Sequence, residues 1–226
     1  LRTERLTHQQ RRNIVLSDVS IDFSEGHVAL LGPNGAGKST LFALLSTSMR
    51  PHSGDIRANG LSVRTGAGRE EIRAQVGFQV QHARMSGPLR VREAVAYAAW
   101  LKRVPKTSVD DRVEAVLAQT NLLHLADRPS AKISGGERKR VAIAQALVSQ
   151  PAVIMLDEPT ASLDPKERAE ILNVLRSIRS GTRIVMSTHD TRDLPGVADR
   201  VILLNHGKTV FDGSIGTFAA GPTSES

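Results

Sequence analysis

The sequence has no cysteine, so it forms no disulfide and offers no thiolate to a metal, an absence in keeping with a reducing compartment. Aromatic residues are nearly missing as well: one Trp, one Tyr and five Phe make up 3% of the chain. A binder of single-stranded nucleic acid interleaves basic side chains with stacking rings. Here Lys and Arg are scattered along the whole length with few rings among them, so no nucleic-acid partner is expected despite a net charge of +7. No apolar run approaches the about 18 residues of a membrane-crossing helix. The opening Leu1 to Arg12 is polar and charged, unlike a signal peptide, and a cytoplasmic protein is expected.

What is present suffices for a core, since 40% of the 226 residues are hydrophobic. One domain over 1–220 is expected, with 221–226 as a disordered tail. Val19, Ile21 and Phe23 alternate with polar residues as in a half-buried strand. His27 to Leu31 is a buried strand that runs into glycines, and Lys38 to Ser48 carries Leu41, Leu44 and Leu45 on one helical face. A Ser53-Gly54 turn and an Asn59-Gly60 hairpin turn frame a small antiparallel patch over roughly 54–65. Val76 to Val80 reads as a further strand. From about 84 to 134 the pattern is helical, with Val91 to Lys102 alanine-rich and Ser108 placed to cap a helix beginning at Val109. Helix then alternates with strand: Glu137 to Ser149, Val153 to Leu156, Pro165 to near Gly181, Ile184 to Ser187. Val201 to Leu204 and Lys208 to Phe211 form a closing hairpin. The alternation implies an α/β fold with a mainly parallel sheet, an N-terminal antiparallel β patch and an inserted α-helical subdomain.

Gly32-Pro33-Asn34-Gly35-Ala36-Gly37-Lys38-Ser39-Thr40 matches the phosphate-loop pattern in full, between the strand and the helix that the motif requires. The glycines let backbone N–H groups turn inward, where they and the helix N-terminus meet phosphate oxygens. Lys38 is placed for the β- and γ-phosphates of ATP and the Ser39 hydroxyl for Mg²⁺. The motif implies a RecA-like P-loop NTPase core. Further along, Val153-Ile154-Met155-Leu156-Asp157-Glu158 puts two carboxylates at the carboxyl end of a buried strand, the edge where parallel sheets hold ligands. Asp157 fits a Mg²⁺-holding role. Glu158 fits the group that orients the water attacking the γ-phosphate or accepts its proton.

Ile133-Ser134-Gly135-Gly136-Glu137, immediately before a helix, resembles the signature of ATP-binding cassette proteins. The resemblance covers about Leu6 to Gly213. It implies that Ser134, Gly135 and Gly136 contact the ATP of a second nucleotide-binding domain, either an identical chain or a close paralogue. Gln81 resembles the Q-loop glutamine, which senses Mg²⁺ and the γ-phosphate. Ser162-Leu163-Asp164 resembles the D-loop, and Ser187-Thr188-His189-Asp190 the segment whose histidine contacts the γ-phosphate. Three positions depart from the family pattern. Gln10 stands where an aromatic ring usually stacks on adenine, with His8 nearby or a partner chain as the substitute; Glu137 replaces the commoner glutamine; and Ile133 replaces leucine.

The same cassette serves several functions. DNA-repair members carry very long coiled coils between phosphate loop and signature, and translation factors carry two cassettes. An iron–sulfur cluster assembly ATPase is the nearer rival, since Ser-Gly-Gly-Glu followed by Arg138-Lys139-Arg140 resembles its signature region. Asp157-Glu158-Pro159-Thr160 instead continues as transporters do. The resemblance therefore implies an ATP-hydrolysing subunit held at the cytoplasmic face of the cell membrane by a separate multi-pass permease. Export is expected over import from the compact pattern that ends soon after Gly213.

Overall fold

The computed structural model describes residues 1–11, 13–79, 89–178 and 181–220. In chain order its elements are β1 (Arg2–Gln10), β2 (Asn13–Val19), β3 (Val28–Leu31), α1 (Lys38–Leu45), β4 (Ser53–Ala58), β5 (Leu61–Ser62), α2 (Gly66–Gln75), β6 (Val76–Gln79), α3 (Val91–Leu101), α4 (Val109–Gln119), α5 (Gly135–Leu147), β7 (Val153–Asp157), α6 (Pro165–Ile178), β8 (Arg183–Ser187), β9 (Arg200–Asn205), β10 (Lys208–Ser214) and α7 (Ile215–Ala220). The fold is α/β with mixed sheets. The chain divides into two compact units, Leu1–Ile72 with Ile184–Ser226, and Arg73–Arg183.

In the first unit, β2, β1, β4 and β5 form an antiparallel sheet in that order. The Asn59-Gly60 turn closes the β4–β5 hairpin with φ of 48° and 79°, the left-handed pair that a two-residue hairpin requires. Ser53-Gly54 does not turn; it opens β4. Val19, Ile21 and Phe23 are buried as their alternation requires, but the strand stops at Val19. Beyond it Thr3 does the joining: its hydroxyl donates to the Val19 carbonyl at 3.0 Å and accepts the Ile21 N–H at 2.9 Å. The same unit carries β3, parallel to both β8 and β9, with β10 antiparallel to β9. Leu30 pairs with Ser187 in register, so the segments after β3 and β8 leave from the same edge of the ladder.

One buried polar contact in this unit makes it sensitive to acid. The His8 and His52 rings meet edge-on at 4.6 Å between centroids, with their Nδ1 atoms 3.1 Å apart. Burial, and then the facing His52, hold the His8 imidazole below its ordinary 6.5. The unfolded chain therefore takes up this proton at a higher pH than the fold does, and stability is lost as the pH drops below 6.5. Thermal melts of wild type and His8→Gln across that range check this. The variant is expected to show a shallower acid decline, and an identical slope would assign the decline to other groups.

The second unit pairs β6 with β7 in parallel and packs α3, α4, α5 and α6 together. Helices α3 and α4 fall inside the stretch expected to be helical. Ser108 does not cap α4. It ends a short 3₁₀ turn, Lys106–Ser108, and its side chain accepts no bond from the helix. The helix α6 opens at Pro165, whose fixed φ and missing N–H suit a first helical position.

Candidate functional site

In the first unit the phosphate loop grows out of β3, four apolar residues that are all buried because the strand has a parallel neighbour on each side. Gly37 caps α1 at φ 103°, and a Cβ there would lie 2.7 Å from the Leu16 Cδ2 and 2.9 Å from the Val15 carbonyl oxygen. Only glycine meets both conditions. The loop is closed by the Ala36 N–H donating to the Pro33 carbonyl at 3.1 Å, and anchored by the Gly207 N–H donating to the Ala36 carbonyl at 3.1 Å. Lys38 is 6% exposed and straps the loop from inside, its Nζ donating to the carbonyls of Gly32 at 2.6 Å and Pro33 at 3.1 Å. An ammonium has three N–H donors, so one more remains for a phosphate oxygen. Asn34, Gly35 and Ser39 are exposed.

At the end of β8 the Thr188 N–H donates to the Leu30 carbonyl at 3.2 Å. The buried Thr188 hydroxyl donates to Asp193 Oδ2 at 2.8 Å and accepts the Asp190 N–H at 3.0 Å. Exposed His189 thus sits between Thr188 and Asp190, which the second of these bonds joins, at the same ladder edge as the phosphate loop.

In the second unit β7 is buried throughout and ends in Asp157, 5% exposed. Glu158 follows at φ 48°, a left-handed conformation that non-glycine residues adopt at a cost and that recurs at functional positions. Lys139 of α5 holds this turn, its Nζ donating to the carbonyls of Glu158 at 3.2 Å and Ala161 at 2.5 Å. In the sequence Lys139 stands out only as part of Arg138-Lys139-Arg140, although a helical residue three beyond Gly136 shares its face.

The signature segment opens α5 as a capping box. Glu137 N–H donates to Ser134 Oγ at 3.1 Å, and Ser134 N–H donates to Glu137 Oε2 at 2.6 Å. Glu137 is therefore the reciprocal half of the cap, a role the Ser-x-x-Glu spacing announces. Glu167, which sequence reading missed, accepts from the Ser134 hydroxyl at 3.1 Å and from the Gly136 N–H at 3.2 Å. Asp164 in turn caps α6, its Oδ1 accepting the Glu167 N–H at 2.8 Å.

The expected Gln81 lies outside the described residues. Gln10 is exposed at the end of β1. His8 does not substitute for an adenine-stacking ring: it is 4% exposed and its ring is taken up by His52.

Residues 16–161, more than half of the chain, match the family described as ABC transporter. The chain belongs to the ATP-binding cassette family. It is 39% identical over 203 residues to the sulfate/thiosulfate import ATP-binding protein CysA of Synechococcus elongatus, covering 88% of this chain and 58% of that protein. It is 34% identical over 212 residues to the methionine import ATP-binding protein MetN 1 of Acinetobacter baylyi, covering 92% and 60%. The cassette thus spans less than two thirds of these relatives. Cassette cbiO1 of Clostridium perfringens, part of the ABC transporter complex cbiONQ, superposes with a TM-score of 0.85 at 30% identity, over 97% of this chain and 90% of that one. The dimeric cassette MJ0796, bound to ADP and Pi in a post-hydrolysis state, gives a TM-score of 0.83 at 25% identity, over 94% and 97%. Both named relatives are import proteins, so the exporter expectation finds no support in them.

Proposed function

We propose that this cassette is the ATP-hydrolysing subunit of a membrane transporter, that it pairs with a second cassette, and that a separate multi-pass permease holds it at the cytoplasmic face of the membrane. The observation that carries the reading is the phosphate loop, with Gly37 at φ 103° opening α1 and Lys38 strapping the loop from within. Residues 1–220 are read as one cassette with a helical insert near 84–134.

The backbone N–H groups of Gly32 to Thr40, all but that of Pro33, which has none, and the Lys38 ammonium bind the β- and γ-phosphates of ATP. Ser39 and Asp157 are oxygen donors, the hard ligands Mg²⁺ takes, with Gln81 as a further contact. These residues would hold the Mg²⁺, which would supply positive charge to the reacting phosphates. Glu158 orients the attacking water and accepts its proton. His189, next in the chain to Thr188, whose hydroxyl bonds Asp193, contacts the γ-phosphate. Ser134, Gly135 and Gly136 present a hydroxyl and N–H groups at a helix start to the nucleotide of the other cassette. A dimeric cassette with ADP and Pi among the structural neighbours supports the pairing.

The import names of the relatives favour an import partner over the exporter first expected. Neither supports the iron–sulfur assembly alternative. The test is affinity capture of Glu158→Gln from native cells with Mg-ATP in mild detergent. A stoichiometric multi-pass membrane protein supports the transport role, whereas only soluble partners would replace it with a soluble mechanochemical ATPase.

A further inference from the structure

The donors of the signature segment already hold an anion, and it belongs to the chain itself. Through a single oxygen, Oε1, Glu167 accepts both the Ser134 hydroxyl at 3.1 Å and the Gly136 N–H at 3.2 Å. The carboxylate lies against the glycine backbone: a Cβ at Gly136 would stand 2.6 Å from the Glu167 Cδ. The carboxylate is held in place from its own backbone, since Asp164 caps the first turn of α6 by accepting the Glu167 N–H at 2.8 Å.

This occupancy excludes another. A hydroxyl has one proton to donate, and the Ser134 proton goes to Glu167 while its oxygen accepts the Glu137 N–H. The Gly136 N–H likewise has one proton, and it goes to the same carboxylate oxygen. A phosphate oxygen cannot take these donors while Glu167 keeps them. The approaching phosphate also meets a like charge within contact distance, which disfavours sharing.

We propose that Glu167 is an internal competitor for the signature site. It fills the anion position of the unpaired chain and is displaced when the triphosphate held by a second copy of this chain arrives. The inference rests on the pairing proposed above. It sets a threshold, because a cassette pairs only when the incoming nucleotide outbids a charge-assisted contact that is already made. A purely structural tie between α5 and α6 predicts the opposite sign. Removing a tie would loosen the signature helix and make pairing harder, whereas removing a competitor makes it easier.

Sedimentation velocity on the Glu158→Gln protein, titrated with Mg-ATP, reads the half-pairing concentration directly. Adding Glu167→Ala is expected to lower that concentration about 10-fold, the order of one charged hydrogen-bonded contact. Glu167→Gln keeps the shape, removes the charge and is expected to fall between. An unchanged or raised ATP requirement in both variants would overturn the proposal, whatever their melting temperatures; Glu167→Gln gives the answer if Glu167→Ala fails to fold. Two controls separate this from the pairing itself. If Glu158→Gln does not pair at any ATP concentration, the pairing reading fails and the competitor role fails with it. If it pairs, and Ser134→Ala prevents pairing, the reading stands and the Glu167 variants decide the competitor role alone.

Discussion

Glu158→Gln is expected to lower ATP turnover by about 100-fold or more while leaving nucleotide affinity unchanged. Glutamine keeps the size and one acceptor oxygen of the side chain but cannot take a proton from water at neutral pH. The turn that presents it depends on backbone atoms, since Lys139 and the Ala161 N–H both bond the Glu158 carbonyl, so the substitution leaves the φ of 48° supported. The melting temperature should therefore stay near that of wild type. Phosphate release and nucleotide titration on the same preparation separate the two effects, and near-normal hydrolysis would remove Glu158 from the catalytic role.

Lys38→Ala is expected to act earlier, on binding. The side chain is almost fully buried and bonds the carbonyls of Gly32 and Pro33, so its loss removes the strap of the loop together with the positive charge offered to phosphate. Hydrogen bonds to charged groups contribute about 1.5–3 kcal/mol, which corresponds to a loss of roughly 10- to 100-fold in affinity for ATP. Calorimetric titration measures it. Unchanged affinity would count against the phosphate-loop assignment, and a weakened loop with normal hydrolysis at saturating ATP would restrict Lys38 to binding.

The parts of this cassette that were legible in the sequence are those in which neighbouring residues decide the outcome. The phosphate loop, Asp157-Glu158 and the signature are each contiguous, and each sits at the end or the start of an element with a strong apolar pattern. Asn59-Gly60 fixed its hairpin because those two residue types tolerate positive φ. The strand β1 was not legible. In Arg-Thr-Glu-Arg-Leu-Thr-His-Gln-Gln only Leu6 is apolar, and the other buried positions are Thr3 and His8, whose polar atoms are satisfied by partners distant in sequence. Helix α2 escaped for a similar reason, since Ile72 is its one large apolar residue turned inward and three glycine or alanine residues open it.

The contacts around the signature were hidden differently. Glu137 was legible as half of a capping box, yet it reads as a departure when the segment is compared only with a family pattern. Lys139 and Glu167 reach their targets across turns of chain, from α5 to the acid-pair loop and from α6 to the start of α5. Such pairings depend on how helices pack and leave no periodic trace. His8 shows the converse, a side chain that sequence offered to a ligand and packing gave to another histidine.

The most direct test of the account is the rate of Mg-dependent ATP hydrolysis by the wild-type chain as a function of its own concentration. A cassette that completes its site with the signature of a second copy is predicted to hydrolyse slowly when dilute, with a rate per chain that rises with protein concentration and vanishes when Mg²⁺ is chelated. A rate per chain that is constant across dilution would contradict a shared site, and nucleotide binding without hydrolysis at any concentration would contradict the ATPase itself.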